Sequence, residues 1–195
     1  PSVLATLVSD KLDFPNLSMV GVDDRAAAYQ AVSYLIQQGH RKIAVLGGPA
    51  TSYPSMMRRQ GAQQAMEDAG IRFEDKLYGL SNYDFESAYH AMNGLLARRA
   101  EFTALFAMSD VIAFGAIRAL VSAGLRVPED VSVIGFDGIT MSRYCVPVMT
   151  TIVQPSEQIA LQSIELLVRQ IEHGTPAQTV TLQPELQQGE SVRAI

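Results

Sequence analysis

An α/β fold, with parallel strands in a sheet and helices on both faces, is predicted by three features of the sequence. Apolar, β-rich runs alternate with helical stripes along the chain, the connections between them are short and polar, and glycines close several of the stripes. The first clear strand is "LSMVGVD", Leu17 to Asp23, and Asp23 or Asp24 is placed to cap the helix that follows. In that helix Ala28, Val32, Leu35 and Ile36 share a face, and Gly39 supplies the stop. "KIAVLGG" is the next strand, and "PSMMRRQGAQQAMEDAG" carries a helix to Gly70. "KLYGLS" is a weaker strand, followed by a helix from about Phe85 to Ala97 with Tyr89, Met92 and Leu96 on its apolar face.

Thr103 to Met108 is nearly all apolar, as expected of a strand covered on both sides. From Asp110 the period changes, and Ile112, Ala113, Ala116, Ile117, Leu120 and Val121 trace a helical stripe ending at Gly124. "VSVIGF" is the clearest strand, led in by Pro128. An irregular "DGITMSRYCVPV" precedes a short strand "TTIVQ", a long amphipathic helix to His173, and one strand near Val180.

The chain of 195 residues is 48% hydrophobic and 18% charged, which describes a folded protein with room for one large or two small domains. Its net charge of −5 and the absence of a Lys/Arg run leave no electrostatic footprint for nucleic acid in this segment. Cys145 is the only cysteine, so an internal disulfide and a CxxC motif are excluded and a reducing compartment is expected. No apolar run approaches the ~18 residues of a membrane span, and no membrane partner is expected.

Enzyme and nucleotide readings find little support. "LGGPATSYP" lacks the GxGxxG and Gly-Lys-Ser/Thr spacings, and Pro49 removes a backbone donor, so it reads as a strand-to-helix loop. His40 and His173 sit where helices end, so a cation there would meet the negative end of the helix dipole. Glu86 and His90 are spaced i, i+4 with no third ligand nearby, and read as a surface pair rather than a metal site. There is no GxSxG elbow and no Ser or Cys has a His placed by a local motif, so catalysis is not expected, and with the loop and metal readings set aside neither is a metal or a cofactor.

Open parallel sheets bind ligands beyond the carboxyl ends of their strands. That rule selects Asp23-Asp24, residues 48–53, residues 81–84, Ser109-Asp110 and Asp137-Gly138. Arg58 offers a fork of donors, Tyr83 an apolar plate, and Ser109, Asp137 and Gln154 single hydrogen bonds, which together suit a polyhydroxylated ligand. Each has a plainer reading. Asp137-Gly138 is a good turn, Arg58 is a surface arginine beside Arg59, Tyr83 is packing, and Ser52 is an ordinary loop residue. At the junction of Ser109 and Asp110, the helix dipole favours an acid, so Asp110 is assigned to folding and Ser109 to the ligand.

"GVDDRAAAYQAVSYLIQQGHRKIAVLGGP", "RRQGAQQAMEDAGI", "ALFAMSDVIAFGAIRALVSAGLRVPEDVSVIGFDG" and "TTIVQP" together resemble the effector-binding domain of the LacI/GalR family of bacterial transcription regulators. The resemblance covers nearly the whole chain. It implies a periplasmic-binding-protein-like type I fold, two subdomains joined by crossover strands, with a sugar or related effector in the cleft. By position it carries ligand binding onto Arg58, stacking onto Tyr83, and hydroxyl recognition onto Asp137. Ser109 stands where many members have Asn, Gln154 lies at a crossover near the cleft, and Ser52 falls at a variable specificity position. Thr6 and Leu7 replace a common Asp-Arg, which removes an acidic partner from that edge of the cleft. "SD" replaces the frequent "ND", and "FDG" replaces "FDD".

A family member would carry a helix-turn-helix headpiece, a hinge helix and more of the N-terminal subdomain ahead of Pro1, so a shortened chain is expected. Residues 1–22 and 153–178 would then be parts of the N-terminal subdomain, and 23–152 with 179–195 the C-terminal effector-binding subdomain. The function implied is ligand sensing in a homodimeric, cytoplasmic regulator, most often a repressor, that contacts operator DNA through the headpiece. The alternative is a periplasmic sugar-binding protein of a transport system. On this reading Arg58→Ala abolishes binding and leaves the fold intact.

Overall fold

A computed structural model describes residues 2–5, 17–99 and 101–195. The element order is β1 (Ser2–Ala5), β2 (Leu17–Val22), α1 (Asp24–Gln37), β3 (Ile43–Gly47), α2 (Tyr53–Asp68), β4 (Tyr78–Leu80), α3 (Phe85–Ala97), β5 (Ala104–Ala107), α4 (Asp110–Ser122), β6 (Ser132–Asp137), β7 (Thr150–Val153), α5 (Ser156–His173), β8 (Thr179–Leu182) and β9 (Glu185–Gln187). Among the described residues these strands form two sheets, one ordered β1-β2-β8 and the other β4-β3-β5-β6-β7-β9.

The larger sheet holds the core. β3 and β5 are buried along their whole length, which is why their sequences are apolar without alternation. Right-handed crossovers put α2 on one face of this sheet and α3 and α4 on the other, because the chain steps outward from β3 to β4 and then back across to β5 and β6. Helices pair within each layer, α1 with α2 and α3 with α4. Both pairs depend on a glycine: a Cβ on Gly61 would strike the Arg25 carbonyl, and one on Gly115 would strike that of Phe85. Helix boundaries follow their cap chemistry. Asp23 accepts a hydrogen bond from the Ala26 amide at 3.0 Å, and α1 gives way to Gly39 at φ +97°.

The smaller sheet is parallel throughout and is covered by α5, with Val20, Ile159 and Leu166 as its buried centre. The opposite side of α5 leaves Leu161, Ile164, Val168 and Ile171 exposed. The chain crosses between the sheets three times, after β2, after β7 and after β8.

Three expectations are corrected. The strand near Val180, expected with 179–195 in the larger unit, pairs as β8 with β2 instead, so the larger sheet resumes only after Leu182. The larger sheet is not wholly parallel, because the unpredicted β9 runs antiparallel to β7 at its edge. Three residues with no repeating pattern carry too weak a period to be read as a strand. His40 does not serve as a cation at the helix end. It is buried, with Nδ1 2.9 Å from Thr103 Oγ1 and Nε2 3.1 Å from the Arg193 carbonyl, and burial pushes its pKa below the ordinary imidazole range.

Candidate functional site

The strand order of the larger sheet reverses between β3 and β5, since β3 leads into α2 on one face and β5 into α4 on the other. A crevice opens at the carboxyl ends of strands at such a point. There the structure has a cavity of about 270 Å³ lined by Ser52, Pro54, Arg58, Tyr83, Ser109, Val111 and Asp137. Five residues selected from the sequence thus meet around one space, although they end or follow four different strands, β3, β4, β5 and β6.

Arg58 is the centre of the arrangement. It is 3% exposed, which excludes the surface-arginine reading. Its Nε donates to Asp24 Oδ1 at 2.7 Å, and Nη1 donates to the Met108 carbonyl while lying 3.7 Å from Asp137 Oδ1. Its Cζ stands 3.7 Å from the centroid of the Phe136 ring. An arginine so enclosed, between two carboxylates and an aromatic face, has a fixed guanidinium plane. The expectation that Arg58→Ala leaves the fold intact does not suit this burial, because it would leave two carboxylates without their cation.

Asp137 ends β6 at φ +115°, a left-handed conformation rare for any residue with a side chain. Its Oδ1 accepts from Gln154 Nε2 at 2.8 Å, and its carbonyl accepts from the Gln154 amide at 3.0 Å. Burial raises its pKa, opposed by the Arg58 charge and the Gln154 bond. Gln154 is therefore behind Asp137, not among the residues lining the cavity. Tyr83 also sits at positive φ, +59°, and its hydroxyl is buried with no hydrogen-bond partner among the described residues. The ring presses on Gly48, where a Cβ would overlap it, so the second glycine of "LGGP" serves Tyr83 rather than a phosphate. Strained backbone gathers at ligand-holding sites, and here two lining residues carry it.

Ser52 occupies the position before α2 without using its hydroxyl as a cap, and Pro54 follows in the first turn. Ser109 does both jobs at the start of α4: its Oγ accepts from the Ile112 amide at 3.1 Å while the residue lines the cavity. A hydroxyl that accepts in a cap keeps its proton for another partner. Asp110, assigned to the helix dipole, turns away from the cavity. It is fully buried and accepts from Thr151 Oγ1 at 2.6 Å and the Ile139 amide at 2.9 Å. Burial lifts its carboxyl to about 6 against those two bonds, and the charge of Asp137 adds to the rise.

Thr6 lies outside the described residues. Asp24, read from the sequence as an alternative cap and a strand-end candidate, is instead the partner of Arg58. Asp23 alone caps α1, and a second aspartate beside a completed cap was the available signal. Chemically, the cavity presents a guanidinium, a carboxylate, two hydroxyls and an aromatic ring, with Pro54 and Val111 as apolar wall. Neither histidine nor cysteine lines it. Among the described residues no three His, Cys, Asp or Glu side chains are grouped to hold a metal, and Glu86 and His90 form an exposed pair at 3.9 Å.

The periplasmic binding protein-like domain family matches residues 32–192. The transcriptional repressor CytR of Escherichia coli K12 is 37% identical over 172 residues, which are 88% of this chain and 50% of that protein. The chain spans about half the length of the curated relatives it matches. Among solved structures, a complex of the transcriptional regulator CelR with cellobiose is similar at a TM-score of 0.87 and 34% identity, over 91% of this chain and 54% of that one. A sugar-binding regulator of the LacI family from Escherichia coli, complexed with phosphate, is similar at 0.84 and 30%, over 92% and 69%.

Proposed function

The chain belongs to the LacI family of regulators, within the periplasmic binding protein-like domains, and from that premise we propose that it is the ligand-sensing part of a transcription regulator, a repressor by the pattern of its relatives. The effector is a sugar or another small polyhydroxylated molecule held in the cavity around Arg58 and Asp137. The observation that carries this reading is the enclosed Arg58, fixed over Phe136 and set against Asp137 in a space also lined by Tyr83, Ser52 and Ser109. A planar donor fork, an acceptor and an aromatic plate recognise adjacent hydroxyls and the C–H face of a ring. The cellobiose bound by a structurally similar regulator supports the same ligand class.

Occupancy of the cavity changes the relation of the two sheets, which meet at the crossovers bearing Asp24 and Gln154, and so alters DNA affinity. Operator DNA is contacted by a segment outside these 195 residues, consistent with a net charge of −5 here. A cytoplasmic homodimer and a lack of catalysis belong to this reading, and the regulator names of the relatives favour it over a transport protein. The test is a calorimetric screen of sugars, sugar phosphates and nucleosides on the full-length protein, repeated with Asp137→Asn. Saturable binding by one class, weakened in the variant, is expected. No response to any of the three defeats the proposal.

A further inference from the structure

Asp110 lies between two residues that line the cavity, Ser109 and Val111, yet its own side chain points the other way. Its carboxylate reaches into the wall formed by β6 and β7, where Gly135 leaves the room it needs: a Cβ there would collide with Asp110 Oδ1. One oxygen meets Thr151 of β7, and the other meets the Ile139 amide, two residues beyond Asp137. The intervening corner holds Asp137 at the strained φ of +115°, and Gly138 follows at +71°, a conformation open to glycine. The corner's second tether is Gln154, at the exit of the strand that carries Thr151.

We propose that Asp110 is the positioning residue of the cavity: from behind the wall it holds the Asp137–Gly138–Ile139 corner so that the Asp137 carboxylate faces Arg58. An apolar residue would suit this buried helix start better if packing were the only demand. A carboxylate instead supplies two acceptors, one for each of two elements, and charge-assisted bonds are the stronger kind. The consequence for effector affinity rests on the function proposed above; the geometry of the corner does not. The ionisable group acting on Asp110 is Asp137, which is itself set against Arg58 and Asp24; the Asp110 charge in turn adds to the burial that raises the pKa of the Cys145 thiol.

Nuclear magnetic resonance of the isotope-labelled full chain, with no ligand added, tests this. In the wild type the Ile139 amide shift should follow pH with the midpoint of the Asp110 carboxyl carbon, read separately from those of Asp137. Asp110→Ala should speed hydrogen exchange at Ile139 by roughly tenfold and move the Gln154 side-chain amide toward its solvent value, while β3 and β5 amides keep their protection. Asp110→Asn, which retains an acceptor for Ile139 and can donate to Thr151 Oγ1, should restore both and abolish the titration. An Ile139 amide indifferent to pH in the wild type overturns the proposal, as does Asp110→Ala leaving Ile139 and Gln154 unchanged. If Asp110→Ala does not fold, the wild-type titration and Asp110→Asn decide. None of these readouts uses an effector, so failure of the ligand screen leaves them untouched.

Discussion

Arg58 and Asp137 are unequal targets although they face each other. Removing the arginine strands Asp24 and Asp137, so Arg58→Ala is expected to cost about 3–5 kcal/mol of stability as well as the ligand, read by thermal melting beside calorimetry. Asp137→Asn keeps the size of the side chain and an acceptor for Gln154. It should weaken effector binding by about 1–3 kcal/mol and leave the melting temperature unchanged or slightly raised, since burial already disfavours the charge. Both residues were legible in the sequence because strand-end position and side-chain chemistry are local. Their contacts were not: Arg58 and Asp24 are 34 positions apart, and no periodicity relates them.

At the scale of elements, the start of α4 combines a helix cap with a cavity-lining residue. Ser109→Ala should lower stability by about 1 kcal/mol through loss of the cap. Ser109→Asn keeps a good capping side chain and adds an amide at the cavity, so melting should hold while the order of preferred ligands changes in the same screen. The helix layers give a different test. Gly61→Val places a branched side chain against the Arg25 carbonyl and should destabilise by about 1–3 kcal/mol or more, seen as a lower denaturation midpoint. Boundaries of the helices were readable because capping residues and closing glycines mark them. β9 was not, since an edge strand of three residues is defined by the neighbour it pairs with.

For the whole molecule, two buried groups tilt the pH dependence in opposite directions. The folded-state pKa of Asp110 lies near 6, above the ordinary 3.8, so the folded chain retains a proton that the unfolded chain has lost. Stability from this group therefore falls as pH rises from about 4 to 6, by up to about 3 kcal/mol, and then levels off. His40, depressed by burial, excludes a proton that the unfolded chain takes up, so its contribution is present above pH 6.5 and is lost as pH falls through its folded-state value. Denaturation of Asp110→Asn and wild type side by side should show the variant gaining on the wild type between pH 4 and 6 and no further change above. By itself the sequence determined the order and type of nearly every element, the doubly covered sheet, and the residue types available at its carboxyl edge, because periodicity, caps and turns act over a few residues. Only the tertiary structure decided which sheet takes β8, that Asp24 completes the Arg58 site, and that Asp110 serves the corner behind the cavity. Those outcomes depend on which distant backbone and side-chain groups satisfy one another once water is removed, and local pattern does not encode that choice.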